Sequence, residues 1–206
     1  MSTKTVLIAC AATLLASGCG GGSSSSSSST APSKSASTTS KAASPNAKEK
    51  SPPGDIPDST QFVRFKLPTG GFSLTVPEGW SRTGGHARYV FTSNLNSVTV
   101  ESRAARGPIS VASIRSTDVP LLAKTLRRFK LQSVASVRRS GQTAVRVRYL
   151  ALGPANQVTA KAVVDAAERY LFVHNGREAI VTLAGPNGAD NLDAWRTMSN
   201  SLQWKL

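Results

Sequence analysis

The chain has 206 residues, 39% of them apolar, and a formal net charge of +14. That length allows one domain with some unstructured chain beside it. The two cysteines, Cys10 and Cys19, stand near the N-terminus, so nothing downstream of Cys19 forms an intrachain disulfide or a thiolate metal site.

Lys4 supplies a positive start, and residues 6–15 form a short apolar run. Spanning a bilayer as a helix takes about 20 apolar residues, so this run reads as a cleavable signal. Leu14-Leu15-Ala16-Ser17-Gly18-Cys19 reads as a lipobox, with small residues leading directly into the cysteine. Residues 1–18 are therefore expected to leave as a signal peptide, taking Cys10 with them. Cys19 is expected to carry the acyl chains that anchor the protein on the extracytoplasmic face of the cell membrane. Each buried methylene of such a chain contributes about 0.8 kcal/mol, and several chains together hold permanently.

From residue 20 to about residue 58 the chain is Gly, Ser, Thr, Ala, Pro and Lys, and Ile56 is its one large aliphatic residue. Such a composition buries too little to offset ordering entropy, so residues 19–60 are expected to form a flexible tether. Lys34, Lys41, Lys48 and Lys50 suit loose contact with anionic headgroups, and the Ser/Thr content suits glycosylation. A passive spacer is the plainer reading.

The texture changes at Gln61, and residues 61–206 read as one domain. Residues 62–67 predict a strand, Thr69-Gly70-Gly71 a turn, and the alternation Phe72, Leu74, Val76 a second strand. Residues 89–91 and 98–100 predict two more strands, divided by Ser93-Asn94. A helix is expected with Asp118 as its cap, Pro120 in its first turn, and Leu122, Leu126 and Phe129 on its buried side. Strands follow at residues 134–139 and 145–149. Asn175-Gly176 between apolar runs then predicts a tight hairpin. Those last two strands are apolar at nearly every position, as in a sheet covered on both faces. Asp190 or Asn191 opens a final helix, with Leu192, Trp195, Met198 and Leu202 on one stripe. The expected fold class is α+β: one antiparallel sheet flanked by helices, an αβα sandwich.

The stretch Gly71-Phe72-Ser73-Leu74-Thr75-Val76-Pro77-Glu78-Gly79-Trp80 resembles the opening of PsbP-like domains. Glu168-Arg169-Tyr170-Leu171-Phe172, the hairpin after it and the last helix with Trp195 resemble that family's second half. With a lipobox and a Ser-rich tether, the chain resembles the lipoprotein branch of LpqN-type proteins. The resemblance rests on packing and turn residues. It implies an αβα sandwich and an accessory or binding role, and it carries over no catalytic residue.

The chemistry-bearing residues point the same way. His86 and His174 are the only histidines, and no metal-binding spacing accompanies either. No Gly-x-Ser-x-Gly elbow is present, and the domain's eight acidic residues, Glu78, Glu101, Asp165 and Glu168 among them, show no acid/base pairing. No catalytic residue, metal or cofactor is expected. What remains is basic. Arg64 and Lys66 alternate on one strand, Arg146 and Arg148 on another, and Arg138-Arg139 precede the latter. Lys124, Arg127, Arg128 and Lys130 add a helical cluster. If the strands are neighbours, period-two spacing merges these side chains into a stripe for phosphate or carboxylate groups. The plainer alternative is a solvated face whose aliphatic stems cover apolar surface.

The expected function is a membrane-anchored, non-catalytic binding module. Its partner would be an anionic lipid headgroup, a cell-wall polymer or an acidic protein, since an exported protein rarely meets nucleic acid. The alternative is a carrier of a lipid or other apolar ligand in a cavity between sheet and helices.

Overall fold

The computed structural model describes residues 53–155 and 160–205. The signal peptide, Cys19 and the tether up to residue 52 lie outside the described residues.

Among the described residues, ten strands and three helices follow one another. The first group is β1 (Phe62–Lys66), β2 (Phe72–Pro77), β3 (Ser81–Gly85), β4 (Arg88–Ser93) and β5 (Asn96–Ala104). The helices α1 (Val111–Ser116) and α2 (Asp118–Thr125) come next, then β6 (Lys130–Arg139), β7 (Gln142–Leu152), β8 (Val164–His174) and β9 (Arg177–Pro186). The chain closes with α3 (Leu192–Asn200) and β10 (Gln203–Trp204). The fold is α+β, as expected, but the strands divide between two sheets. Seven form an antiparallel sheet in the order β3-β4-β5-β9-β8-β7-β6, and three form a smaller one in the order β1-β2-β10.

Both faces of the large sheet are covered near its centre, which explains the nearly continuous apolar texture of β8 and β9. On one face Tyr170, Phe172, Val181 and Leu183 pack with Phe72 and Leu74 of the small sheet and with Trp195 and Met198 of α3. On the other, Val145, Val147, Leu171 and Ile180 pack under Ile114, with Val119 and Leu122 of α2 against them. The αβα layering is thus present, with the three-stranded sheet sharing a layer with α3.

Local chemistry accounts for the boundaries. Ser110 and Ser113 cap α1 reciprocally, each hydroxyl accepting from the other's backbone N–H at 3.0 and 2.9 Å. Asp118, expected as a cap, is the first residue of α2 and buried, and Thr117 stands at the N-cap. The Asp118 carboxylate accepts from Arg103 Nη2 at 3.0 Å, a long-range partner that no local pattern announces. The helix ends at Thr125, so Leu126 and Phe129 pack from the connection that follows. Gly84-Gly85 ends β3, and the turn falls on His86 (φ 54°). At Gly84 (φ 102°) a Cβ would lie 2.4 Å from the Arg88 carbonyl, so the close β3–β4 approach demands glycine. Asn175 (φ 46°) and Gly176 (φ 71°) form the expected two-residue hairpin.

The domain also begins earlier than expected. Ile56 is 6% exposed within the first core, and its N–H donates to Asn191 Oδ1 at 2.7 Å. The Gly54 carbonyl accepts from Asn96 Nδ2 at 2.8 Å and from Asn191 Nδ2 at 3.0 Å. Residues 54–56 are therefore part of the fold, and the tether reading does not extend to residue 60. One isoleucine in a polar stretch leaves composition unchanged, and the amide that receives it lies 135 residues further on. Among the described residues, the buried members of both cores run from Ile56 to Leu202.

Candidate functional site

The register of β7 on β8 sets Arg146 opposite Tyr170 and Arg148 opposite Glu168. All four side chains rise from the same face of the sheet because alternate residues share a face. Glu168 is buried and serves as their common acceptor. Its Oε1 lies 3.4 Å from Arg146 Nη1 and 3.3 Å from Arg148 Nε, and its Oε2 accepts from the Tyr170 hydroxyl at 2.5 Å. Arg139, at the end of β6, donates through Nη2 to the same hydroxyl at 3.2 Å and stacks 5.2 Å from the ring centroid. Burial, followed by the Glu168 carboxylate, raises the Tyr170 pKa above its ordinary value.

These residues line a depression of about 180 Å³, completed by Leu192 and Arg196 from α3. Four guanidiniums thus surround one carboxylate. Arg148 and Arg196 are the more open, with side chains 44% and 67% exposed. Arg146 Nε is buried with no hydrogen-bond acceptor among the described residues. A depression of this size takes one compact anionic group, and guanidinium forks match phosphate and carboxylate oxygens in pairs.

The six basic residues expected to share one stripe do not all meet. Arg139, Arg146 and Arg148 converge, whereas Arg64 and Lys66 stand on β1 in the other sheet. Arg64 Nη1 donates to the Ser201 carbonyl at 2.7 Å, just past the end of α3. Lys66 lies beside Lys205, and this like charge lowers the Lys205 pKa. Arg138 turns away and closes the β6–β7 hairpin on the Gly141 carbonyl at 2.5 Å. The single merged stripe is therefore replaced by two groups on either flank of α3, the Arg139 guanidinium reaching Ser199 Oγ at 3.1 Å on the second flank. The division of the strands between two sheets decides this, and spacing along the chain carries no sign of it. Of the expected helical cluster only Lys124 is helical, since Arg127 and Arg128 lie in the connection and Lys130 opens β6. Arg196 and Leu192 were not anticipated in the site. Leu192, expected on the buried stripe with Trp195, Met198 and Leu202, is instead 54% exposed at the first position of α3, one turn from Arg196.

A second hollow, about 390 Å³, lies on the opposite face of the sheet, between α2 and the part of β5, β9 and β8 that the helices leave open. Leu122, Leu126, Tyr149, Ala151, Ala167 and Ala184 form its apolar lining. A polar chain runs along it: Arg88 Nε lies 3.2 Å from Glu101 Oε1, and Arg169 Nη1 lies 3.2 Å from Glu101 Oε2. Asp165 closes one end. Burial raises its carboxyl to a pKa of about 6, and its Oδ1 has no hydrogen-bond partner among the described residues.

The histidines take structural positions. The His86 carbonyl accepts from Thr69 Oγ1 at 3.0 Å, and the His174 ring stacks on Trp204 at 5.3 Å. Among the described residues no group of three His, Cys, Asp or Glu side chains is placed to hold a metal ion.

No family model matches the sequence, and no curated protein matches it either. Solved structures do. Cyanobacterial PsbP from Synechocystis sp. PCC 6803 superposes with a TM-score of 0.49 at 15% identity, over 73% of this chain and 98% of that one. LpqN of Mycobacterium tuberculosis, described as involved in cell envelope biogenesis, gives 0.44 at 15% identity, over 72% and 93%. A Bacteroides thetaiotaomicron protein gives 0.47 at 12% identity over 69% of this chain, which spans 48% of its length. At these identities neither family nor activity transfers.

Proposed function

We propose that the chain is a lipid-anchored, extracytoplasmic binding module, without catalysis of its own, that holds an anionic partner at the arginine depression of β6, β7, β8 and α3. One observation carries this reading: Arg139, Arg146, Arg148 and Arg196 line a single depression in which Glu168 is the one lining acid among the described residues, Asp193 pairing with Arg196 at 3.5 Å beside it. The +14 charge of the chain adds long-range attraction to the same class of partner. Anionic lipid headgroups, acidic wall polymer and acidic protein all present the phosphate or carboxylate groups that guanidinium forks bind.

Charge reversal tests it. Arg148 and Arg196 are the appropriate positions, because their side chains are the more exposed and an acid at either can turn into water, whereas Arg146 is more deeply held against buried Glu168. Arg148→Glu/Arg196→Glu should lose most of the salt-sensitive binding to soluble polyphosphate. A control reversal of exposed Arg115 and Lys124, on α1 and α2, should lose much less. Equal losses would mean that net charge alone binds, and the depression would have no role.

The hollow beside α2 favours a second reading, a carrier of an apolar ligand. A volume of about 390 Å³ falls in the range of small-molecule sites. Native mass spectrometry of the protein purified gently from its own host decides it: a retained ligand mass supports the carrier, and a clean apo-mass removes it.

A further inference from the structure

We propose that the partner of the arginine depression is the anionic phospholipid surface itself, with Leu192 entering the headgroup layer and the guanidiniums around it holding lipid phosphates. This rests on the proposed anchoring and anion binding, and it names the partner.

The start of the described chain supports it. Asp55 accepts from the Asp190 N–H at 3.0 Å, and Ile56 donates to Asn191 at 2.7 Å. The chain that leads back to Cys19 therefore departs from the loop immediately before α3. Leu192 is the next residue, and at 54% it is the most exposed large hydrophobic side chain among the described residues. The same leucine lines the arginine depression. An exposed apolar residue ringed by Arg139, Arg146, Arg148 and Arg196 is the composition of a surface that sits in a headgroup layer. Its apolar part leaves water there, and its cations meet phosphate.

The tether makes weak contact sufficient. Residues 20–52 are Gly, Ser, Thr, Ala, Pro and Lys with few other residues. Acylation at Cys19, as proposed, would by itself raise the domain's effective concentration at the bilayer. Each basic residue near an anionic leaflet contributes about fivefold in partitioning, so four arginines, offset by Glu168 and by the Asp193 that pairs with Arg196, still favour a tethered domain at the surface.

The test uses the chain from residue 19 with Cys19→Ser, which lacks acyl chains but keeps the tether and both cores. It is sedimented with vesicles of phosphatidylglycerol and phosphatidylcholine in equal parts, with pure phosphatidylcholine vesicles, and with soluble polyphosphate as a separate ligand. Binding to the mixed vesicles and not to pure phosphatidylcholine is expected. Arg148→Gln/Arg196→Gln should weaken it about 25-fold, as two charges at about fivefold each require. Leu192→Ser should weaken vesicle binding several-fold and leave polyphosphate binding unchanged. Polyphosphate binding without vesicle binding, or a Leu192→Ser variant that binds vesicles like the parent, overturns membrane docking and leaves the anion-binding reading standing. Loss of both ligands in the parent overturns both. Acylation is read separately, from the mass of Cys19 in the full-length protein, and its failure does not alter these outcomes.

Discussion

Arg146 reaches across from β7 to Glu168 on β8 at 3.4 Å, and the two side chains set the charge of the depression in which they lie. Glu168 holds the arginines in place and also competes with any incoming anion. Replacing it with Gln keeps the acceptor for Tyr170 and removes the charge. Glu168→Gln should therefore cost about 1–3 kcal/mol in stability, read from the urea midpoint. In the same variant polyphosphate should bind more tightly. Weaker binding with an intact fold would mean that Glu168 positions the arginines more than it opposes the anion.

Asp165 predicts a pH effect. Burial raises its folded pKa to about 6, above the ordinary carboxylate value of 3.8, so the folded state favours the protonated form. Its contribution is most favourable at low pH and is lost as pH rises from about 4 through about 6. Asp165→Asn, neutral throughout, should raise the melting temperature relative to the parent at pH 8 and lose that advantage at pH 4.5. A difference that stays constant with pH would place the carboxyl in water.

Arg103 is the hub of a second ion network. Its Nη2 lies 3.0 Å from Asp118 Oδ1 and its Nε 2.5 Å from Glu178 Oε2, both acids being buried. Burial lowers the Arg103 pKa, but the hydrogen bond and charge of Glu178 outweigh it with help from Asp118, so the net shift is upward. Arg103→Leu strands buried Glu178, leaves Asp118 with only Thr117 Oγ1 at 3.1 Å and Arg169 Nη2 at 4.0 Å, and should cost about 3 kcal/mol, the lower end for such pairs because Arg103 is partly solvated. A loss below about 1 kcal/mol would indicate that the acids relax into water.

Ile56 tests the domain boundary. Ile56→Ala should cost about 2–5 kcal/mol, the usual range for truncating a buried isoleucine. A chain started at residue 61 should melt well below one started at residue 53. If Ile56→Ala stays within about 0.5 kcal/mol of the parent, as a surface substitution does, residues 53–60 are tether after all.

Much of this protein was legible in its sequence. Period-two alternation marked β2 and β7, the Asn175-Gly176 pair marked the β8–β9 hairpin, and the apolar run of β8 and β9 marked the doubly covered centre of the sheet. These signals are local, because steric preference and side-chain period act within a few residues. The all-polar β3 carried no such signal, and neither did the division of the strands into two sheets.

The site was half legible. Residue types and spacing singled out Arg139, Arg146 and Arg148, and they converge; Arg64 and Lys66 were singled out on equal grounds and do not join them. Nothing within a strand states which strand it will pair with. That choice follows from which apolar faces can be buried together, a property of the whole domain. The sequence by itself thus determined the strands, the tight hairpin and the basic character of the surface. The tertiary structure decided the rest, because pairing between distant segments put Glu168 and Tyr170 among the arginines, brought Leu192 and Arg196 beside them, and carried Ile56 into the core.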